Sequence, residues 1–207
     1  MESTKTRILK KLLETDGYLS GQELCEQLGV SRTAVWKYMK QLKEEGYEIE
    51  AVQNKGYCLK DVPDVLGESE VKSRLHTRWA GQTLYYYDEI DSTNTQIKRL
   101  AEEDAPHGTL AVADYQSKGK GRRGRAWDSP HGSAIYMSIL FRPEIRPDRA
   151  SMLTLVIGLS VTQAIRSNLG LRAQIKWPND VVLNGKKLVG ILTEMSAQMN
   201  YIEYLVT

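Results

Sequence analysis

The chain has 207 residues, with 28 Lys and Arg against 26 Asp and Glu and a formal net charge of +2. Its 41% apolar and 26% charged residues are a globular composition, which excludes wholesale disorder, a collagen-like chain and a continuous coiled coil, and the length suits one or two domains with a substantial core. The near balance of charge excludes a chain that is basic throughout, so any nucleic-acid contact must come from a local patch.

Met1-Glu2-Ser3 opens a charged, helix-like segment rather than a secretory leader. Cys25 and Cys58 have no CxxC spacing and no His partners in phase, so they read as reduced structural thiols in a reducing, cytoplasmic compartment. Ile8, Leu9, Leu12 and Leu13 recur at helical spacing, and Gly17 stops that helix. Ser20 stands three residues before Glu23, a capping box, and Leu24, Cys25 and Leu28 supply the apolar stripe of a second helix. After the break at Gly29-Val30, Ser31 caps a third helix from Arg32 to about Glu45, with Val35, Met39 and Leu42 inward. Tyr47 to Val52 and Tyr57 to Lys60 are short extended runs joined by Gln53-Asn54-Lys55-Gly56, which is hairpin chemistry.

Helix, short turn, helix, hairpin is the order of a winged helix-turn-helix, whose third helix projects its first residues outward. Residues 1–60 hold ten Lys and Arg against nine Asp and Glu, so the basic character is confined to that one helix. The candidate DNA contacts are Ser20 and Gly21 at the second helix, Ser31, Arg32, Thr33, Lys37 and Lys40 at the third, and Lys55 in the wing. Cations serve phosphates and short polar side chains serve base edges. The competing reading is a small helical interaction domain whose lysines only solvate a surface.

Lys60 to Asp64 turns to proline and acid and reads as a linker, dividing the chain into residues 1–62 and 63–207. A short helix is expected near 69–79 and a strand at Leu84 to Tyr87. A second capping box, Thr93 with Gln96, opens a helix through about Glu103. Leu110 to Tyr115 and Ala134 to Phe141 are expected as buried strands. Ser151 to Leu169 is a long apolar helix, interrupted by Thr154, Gly158, Ser160, Thr162 and Gln163 and so too broken and too short to span a bilayer. Gln174 to Trp177 is a short strand, Val181 to Leu183 and Leu188 to Thr193 form a hairpin on Asn184-Gly185, and Tyr201 to Val206 is a further strand. Hairpins mixed with helical crossovers predict an α+β domain with a mixed sheet.

Residues 118–125 place five cations and three glycines in eight positions with no acid. Glycines let backbone N–H groups approach a ligand, and cations beside them suit phosphates. Gly119, Gly121 and Gly124 match GxGxxG, but Ala126 to Gly132 cannot start the helix that a dinucleotide fold requires, and there is no P-loop. The loop follows a buried strand and precedes Trp127, an aromatic able to fold over a ligand. Lys176-Trp177-Pro178-Asn179-Asp180 sets a lysine at a strand end before a turn, and Asp91-Ser92-Thr93-Asn94 stands at a helix start. Taken alone, these two clusters read as a surface lysine beside a core tryptophan and as simple capping.

In this order, Ser92-Thr93-Asn94, Gln116 with the basic loop through Arg125, Trp127, and Lys176 to Asp180 resemble the biotin protein ligases. With the winged helix ahead of them, the chain resembles the bacterial bifunctional form, both biotin–acetyl-CoA-carboxylase ligase and biotin operon repressor, over essentially its whole length. The resemblance implies a class II synthetase-like catalytic domain. It also implies two-step chemistry with biotin as substrate, ATP and magnesium as co-substrates and no permanently bound cofactor. Biotin's carboxylate attacks the α-phosphorus of ATP to give biotinyl-5′-AMP and pyrophosphate, and a lysine of the biotin carboxyl carrier protein then takes the biotinyl group. The catalytic residues it implies are Lys176, bridging the two anions, and Arg122. The substrate contacts are Ser92, Thr93, Asn94, Gln116, Gly119, Lys120, Gly121, Arg122, Trp127 and Lys176, with no metal ligand among protein side chains. Two cations opposed to two anionic reactants relieve their repulsion, and no protein nucleophile is required.

The implied partners are the carrier protein, operator DNA, and a second copy of the chain when the adenylate is bound, with no membrane. The family loop often reads GRGRRGR, and Lys120 here puts a point charge where a planar fork stands. The family continues past the last strand with a Gly-Ile-Gly-Xaa-Asn strand, further helices and a small β-barrel, so the resemblance implies a chain shortened at its C-terminus. Two other readings share parts of these features: a repressor that senses a small anion without catalysis, and a lipoate or octanoate ligase.

Overall fold

The computed structural model describes residues 3–207, so the reading of Met1-Glu2 as part of an opening segment lies outside the described residues. The chain divides into two compact units, Met1–His76 and Thr77–Thr207.

The first unit is three helices and a hairpin. Helix α1 spans Thr4–Glu14, capped by the Ser3 hydroxyl accepting from the Thr6 N–H at 3.1 Å. Helix α2 spans Gly21–Leu28, capped by Ser20 and closed by left-handed Gly29, and α3 spans Arg32–Glu44, capped by Ser31. Their apolar stripes meet in one core of Ile8, Leu9, Leu12, Leu24, Val35, Met39 and Leu42, joined by Ile49 from the hairpin. Strands β1, Glu48–Val52, and β2, Gly56–Asp61, pair antiparallel. Leu19 and Tyr57 exchange two backbone hydrogen bonds at 2.8 and 2.9 Å, which ties the wing to the turn before α2. Gly56 is required there, because its φ is +111° and a Cβ would stand 2.2 Å from the Leu19 carbonyl oxygen. The unit does not end at the linker. Helix α4 is shorter than the helix expected near 69–79, spanning Glu68–Ser73, and it packs on α1. Tyr47 donates its hydroxyl to Glu70.

The second unit has a five-stranded mixed sheet in the order β3-β4-β5-β10-β9 and a separate three-stranded sheet, β6-β7-β8. Strands β3, Leu84–Ile90, and β4, Leu110–Gln116, are parallel, joined through helix α5, Thr93–Glu102. Strand β5, Tyr136–Phe141, runs antiparallel to β4 and to β10, Ile202–Val206, which pairs with β9, Glu194–Ala197. Ile97, Leu100 and Ala101 of α5 pack on Ala111, Leu140 and Val206 of the sheet. The second sheet is an antiparallel meander of β6, Gln174–Lys176, β7, Asp180–Leu183, and β8, Lys186–Gly190. Asn184 and Gly185 turn it with φ of 50° and 79°, the left-handed pair that such hairpins need. This is the expected α+β class with a mixed sheet.

Three local expectations are corrected. Thr93 is not a cap: Ser92 is the N-cap of α5, no side chain caps it, and Gln96 donates its backbone N–H to the Ser92 carbonyl. The Thr93 hydroxyl donates instead to the half-buried amide of Gln116. Leu188 to Thr193 is not one strand. Pairing in β8 ends at Gly190, and the chain then crosses to the other sheet as β9. Helix α6 spans Ala150–Leu169, and Pro147–Leu169, with a mean hydropathy of 1.2, is long and apolar enough by length and composition to cross a membrane. Only Ala150, Gly158 and Thr162 of it are buried.

Candidate active site and nucleic-acid interface

The site begins where β3 ends and α5 starts. Ser92, Thr93 and Asn94 are all buried polar residues, and buried polar atoms need partners. The Gln116 side chain, at the end of the parallel neighbour β4, supplies them for Thr93. Its Oε1 accepts the Thr93 N–H at 2.9 Å and the Thr93 hydroxyl at 3.1 Å, while its Nε2 donates to Ser129 Oγ at 3.0 Å. Ser138 of β5 donates its hydroxyl within reach of Thr93 Oγ1 at 2.8 Å and Asn94 Oδ1 at 2.5 Å. Asn94 Nδ2 donates to the Leu192 carbonyl at 3.2 Å and to Glu194 at 2.9 Å. Burial pushes the Glu194 carboxyl up, but the Lys98 ammonium and the Asn94 amide hydrogen-bonded to it, with the Lys98 and Lys120 charges, hold it below its ordinary value. Three segments distant in sequence thus fix the orientation of Thr93 and Asn94.

The basic loop leaves from Gln116 and returns beside it. Ser117 and Lys118 donate backbone N–H groups to Ile90 and Asp91, both at 2.8 Å, and the loop closes on itself through Trp127 N–H to Gly119 O at 2.9 Å and Gly121 N–H to Arg125 O at 2.7 Å. Gly119 is required by this closure, since a Cβ would lie 2.3 Å from the Trp127 carbonyl oxygen. Arg123 and Gly124 turn the tip at positive φ. No α-helix follows the glycines, as the sequence argued against a dinucleotide site. The return limb is secured by His131, whose Nδ1 is 2.7 Å from Asp114 and whose ring stacks on Tyr115 at 4.7 Å between centroids. That hydrogen bond, outweighing burial and aided by the Gly132 N–H, holds the Asp114 carboxyl below its usual range.

The second basic cluster lies between β6 and β7. Lys176 ends β6 in register with Asp180, and the Trp177–Pro178 bond is cis. The Lys176 side chain is exposed and makes no hydrogen bond or ion pair among the described residues, and Trp177 is 77% exposed. The loop meets this turn: Arg122 Nη1 donates to Asn179 Oδ1 at 2.9 Å across 57 residues. Asn179 is itself fixed by Nδ2 donating to the Ile191 carbonyl at 2.9 Å. Lys120, expected among the substrate contacts, donates to Thr95 Oγ1 at 3.0 Å.

Several residues of the cluster escaped the sequence reading. The Lys187 ammonium lies 4.9 Å over the Trp127 ring and 2.7 Å from Asp180 Oδ1. That buried oxygen accepts no hydrogen bond among the described residues, and the Lys187 charge is what faces it. The Trp127 ring also packs on Gly190, where a Cβ would come within 2.9 Å of it. Ser138 and Glu194 carry no local signal, since their partners lie 44 to 100 residues away; Ser129 and Lys187 take their roles from Gln116 and from the Trp127 ring. Among the described residues no three or more His, Cys, Asp or Glu gather as a metal group.

In the first unit the hydroxyls of Ser20 and Ser31 accept from the Glu23 and Ala34 N–H groups, so both are helix caps. Gly21 opens α2 against the Tyr57 ring. Arg32 donates to Gln22 at 2.8 Å, bracing α3 against α2. Thr33 and Lys37 are exposed with no polar partner among the described residues, and Lys40 forms an exposed pair with Glu44 at 3.7 Å. Lys55 extends from the wing, 5.6 Å from the Tyr18 ring centroid. A groove of about 500 Å³ runs between the start of α3 and the wing, lined among others by Ser20, Gly21, Arg32 and Lys55.

Comparison with known proteins fits both halves. The pattern described as the biotin/lipoate A/B protein ligase family matches residues 86–205, and one described as an HTH domain matches residues 4–58. The chain is 45% identical over 208 residues to the bifunctional ligase/repressor BirA of Bacillus spizizenii, covering 100% of this chain and 64% of that protein. It is 36% identical over 188 residues to the bifunctional ligase/repressor BirA of Escherichia coli, covering 90% of this chain and 57% of that one. A solved structure of the biotin protein ligase of Leishmania major in complex with biotin aligns with a TM-score of 0.51 at 25% identity, over 60% of this chain and 54% of that one. The chain therefore spans at most 64% of the length of these curated relatives.

Proposed function

The chain belongs to the biotin/lipoate A/B protein ligase family, and we propose that it carries the ATP-dependent activation of biotin and its transfer to a lysine of the biotin carboxyl carrier protein, together with adenylate-dependent repression at operator DNA. The observation that carries the reading is the bond from Arg122 to Asn179, which joins the basic loop to the turn following Lys176. A carboxylate and a triphosphate repel one another, and positive groups between them lower the barrier to their reaction. Lys176, free of protein partners among the described residues, is the bridging cation, and Arg122 with the loop N–H groups holds carboxylate and phosphate oxygens. One carboxylate oxygen bonds to the α-phosphorus, and the bond to pyrophosphate breaks. Magnesium enters with the triphosphate, a cation that keeps waters and phosphate oxygens as ligands and needs few protein carboxylates.

The ureido ring has one carbonyl and two N–H groups, and leaving them unmatched inside protein would cost affinity. Ser92, Thr93 and Gln116 are its partners, and Asn94 supports them. Trp127 covers the nucleotide and shields the mixed anhydride from water. The winged helix-turn-helix binds DNA through Arg32, Thr33, Lys37, Lys40 and Lys55, as a dimer when the adenylate is bound, and the protein works in the cytoplasm.

Biotin-dependent ATP–pyrophosphate exchange tests the reading. The wild-type chain should support it and Lys176→Ala should nearly abolish it. Exchange that persists in Lys176→Ala removes Lys176 as the bridge. No exchange and no biotin-dependent thermal shift in the wild type would leave a protein that is not a ligase.

A further inference from the structure

The outward face of α3 carries one residue that the electrostatic account of DNA binding leaves unused. Trp36 is 60% exposed, one turn after Arg32 and one turn before Lys40, with Thr33 and Lys37 beside it. It makes no hydrogen bond and no aromatic or cation–π contact among the described residues. Its neighbours Val35 and Met39 turn into the core, so Trp36 belongs to the cationic stripe and not to the apolar one. A phosphate-binding face needs only cations and hydroxyls, and a large indole in its middle adds nothing to phosphate affinity. Its value is apolar area held at low conformational cost.

Within a duplex, the one apolar group that projects from a base edge into the major groove is the thymine C5-methyl. We propose that Trp36 is a specificity-determining residue of the DNA interface, packing its indole against a thymine methyl while Arg32, Lys37 and Lys40 hold the flanking phosphates. This rests on the DNA-binding reading above and adds to it the base that is read and the group that reads it.

The test uses the full chain with biotin and Mg-ATP. A duplex is enriched from a random-sequence pool by the wild-type protein, and each thymine in it is then replaced singly by deoxyuridine, which removes the methyl and keeps the pairing. Wild-type affinity should fall roughly tenfold at one position in each half-site, the scale of a single lost base contact. In Trp36→Ala that fall should vanish, while binding to unrelated duplex and its dependence on salt should match the wild type. Trp36→Phe, which retains an aromatic face, should keep a reduced methyl effect. Deoxyuridine tolerated throughout, or penalised equally in Trp36→Ala, overturns the assignment to Trp36 alone. If the wild-type chain enriches no duplex, the DNA-binding reading falls with it.

Discussion

One oxygen of Gln116 receives both the backbone N–H and the hydroxyl of Thr93, a residue 23 positions earlier. The pairing joins the end of β4 to the start of α5, and its amide nitrogen carries the link on to Ser129 in the return limb of the basic loop. The carboxamide therefore orients the triplet and anchors the loop with the same group.

Gln116→Ala should cost about 1–3 kcal/mol of stability, because it strands the buried Thr93 donors and the Ser129 hydroxyl. Biotin affinity should fall with it. Urea unfolding with and without biotin measures both, and an unchanged midpoint would show that these bonds are readily replaced.

Arg122→Gly should still form biotinyl-AMP but release it. Loss of one hydrogen bond from a charged donor is worth roughly 1.5–3 kcal/mol, or about ten- to hundredfold in retention. The rate at which adenylate leaves the protein is the quantity to follow, and a rate equal to wild type would remove Arg122 from the clamp.

Gly190→Ala places a methyl within 2.9 Å of the Trp127 ring and 3.0 Å of Lys187. Overpacking of this kind costs about 1–3 kcal/mol, and the indole must shift. The expected outcome is altered Trp127 fluorescence with weakened Mg-ATP binding and an unperturbed first unit.

Glu194 gives a pH dependence with a definite sign. Its carboxyl is held below its ordinary value by Lys98 and Asn94 despite partial burial. The contribution to stability is therefore present above the unfolded-state value near 4.5 and is lost as pH falls through the lower folded-state value. Glu194→Gln should flatten the acid limb of unfolding free energy against pH. An unaltered limb would mean that other carboxylates account for it.

The first unit was nearly legible residue by residue, because its instructions are local. Ser20 and Ser31 cap at the positions their spacing implies, and the inward stripes of α1 to α3 follow the helical period. In the second unit the secondary elements were legible, and so were the three clusters, but their wiring was not. Thr93 looks like a cap because a threonine three residues before a glutamine has that local meaning, and only folding brings Gln116 to its hydroxyl. Glu194 reaches Asn94 across 100 residues and Ser138 reaches it across 44. No period or short motif encodes such pairs. The β8-to-β9 crossing had one local mark, Gly190, at which β8 ends, but the switch of sheets goes with Asn179 engaging the Ile191 backbone, which no local pattern encodes.

The loop's backbone bonds all run within the loop itself or to the neighbouring ends of β3 and β4. The ties from its outer half to Thr95 and Asn179 are made by side chains, Lys120 and Arg122, both at exposed positions. An incoming pair of anions can trade places with both acceptors without opening a single peptide hydrogen bond. Under the proposed ligase reading, the two charged donors would exchange neutral acceptors for anionic ones while the frame of the loop stays closed.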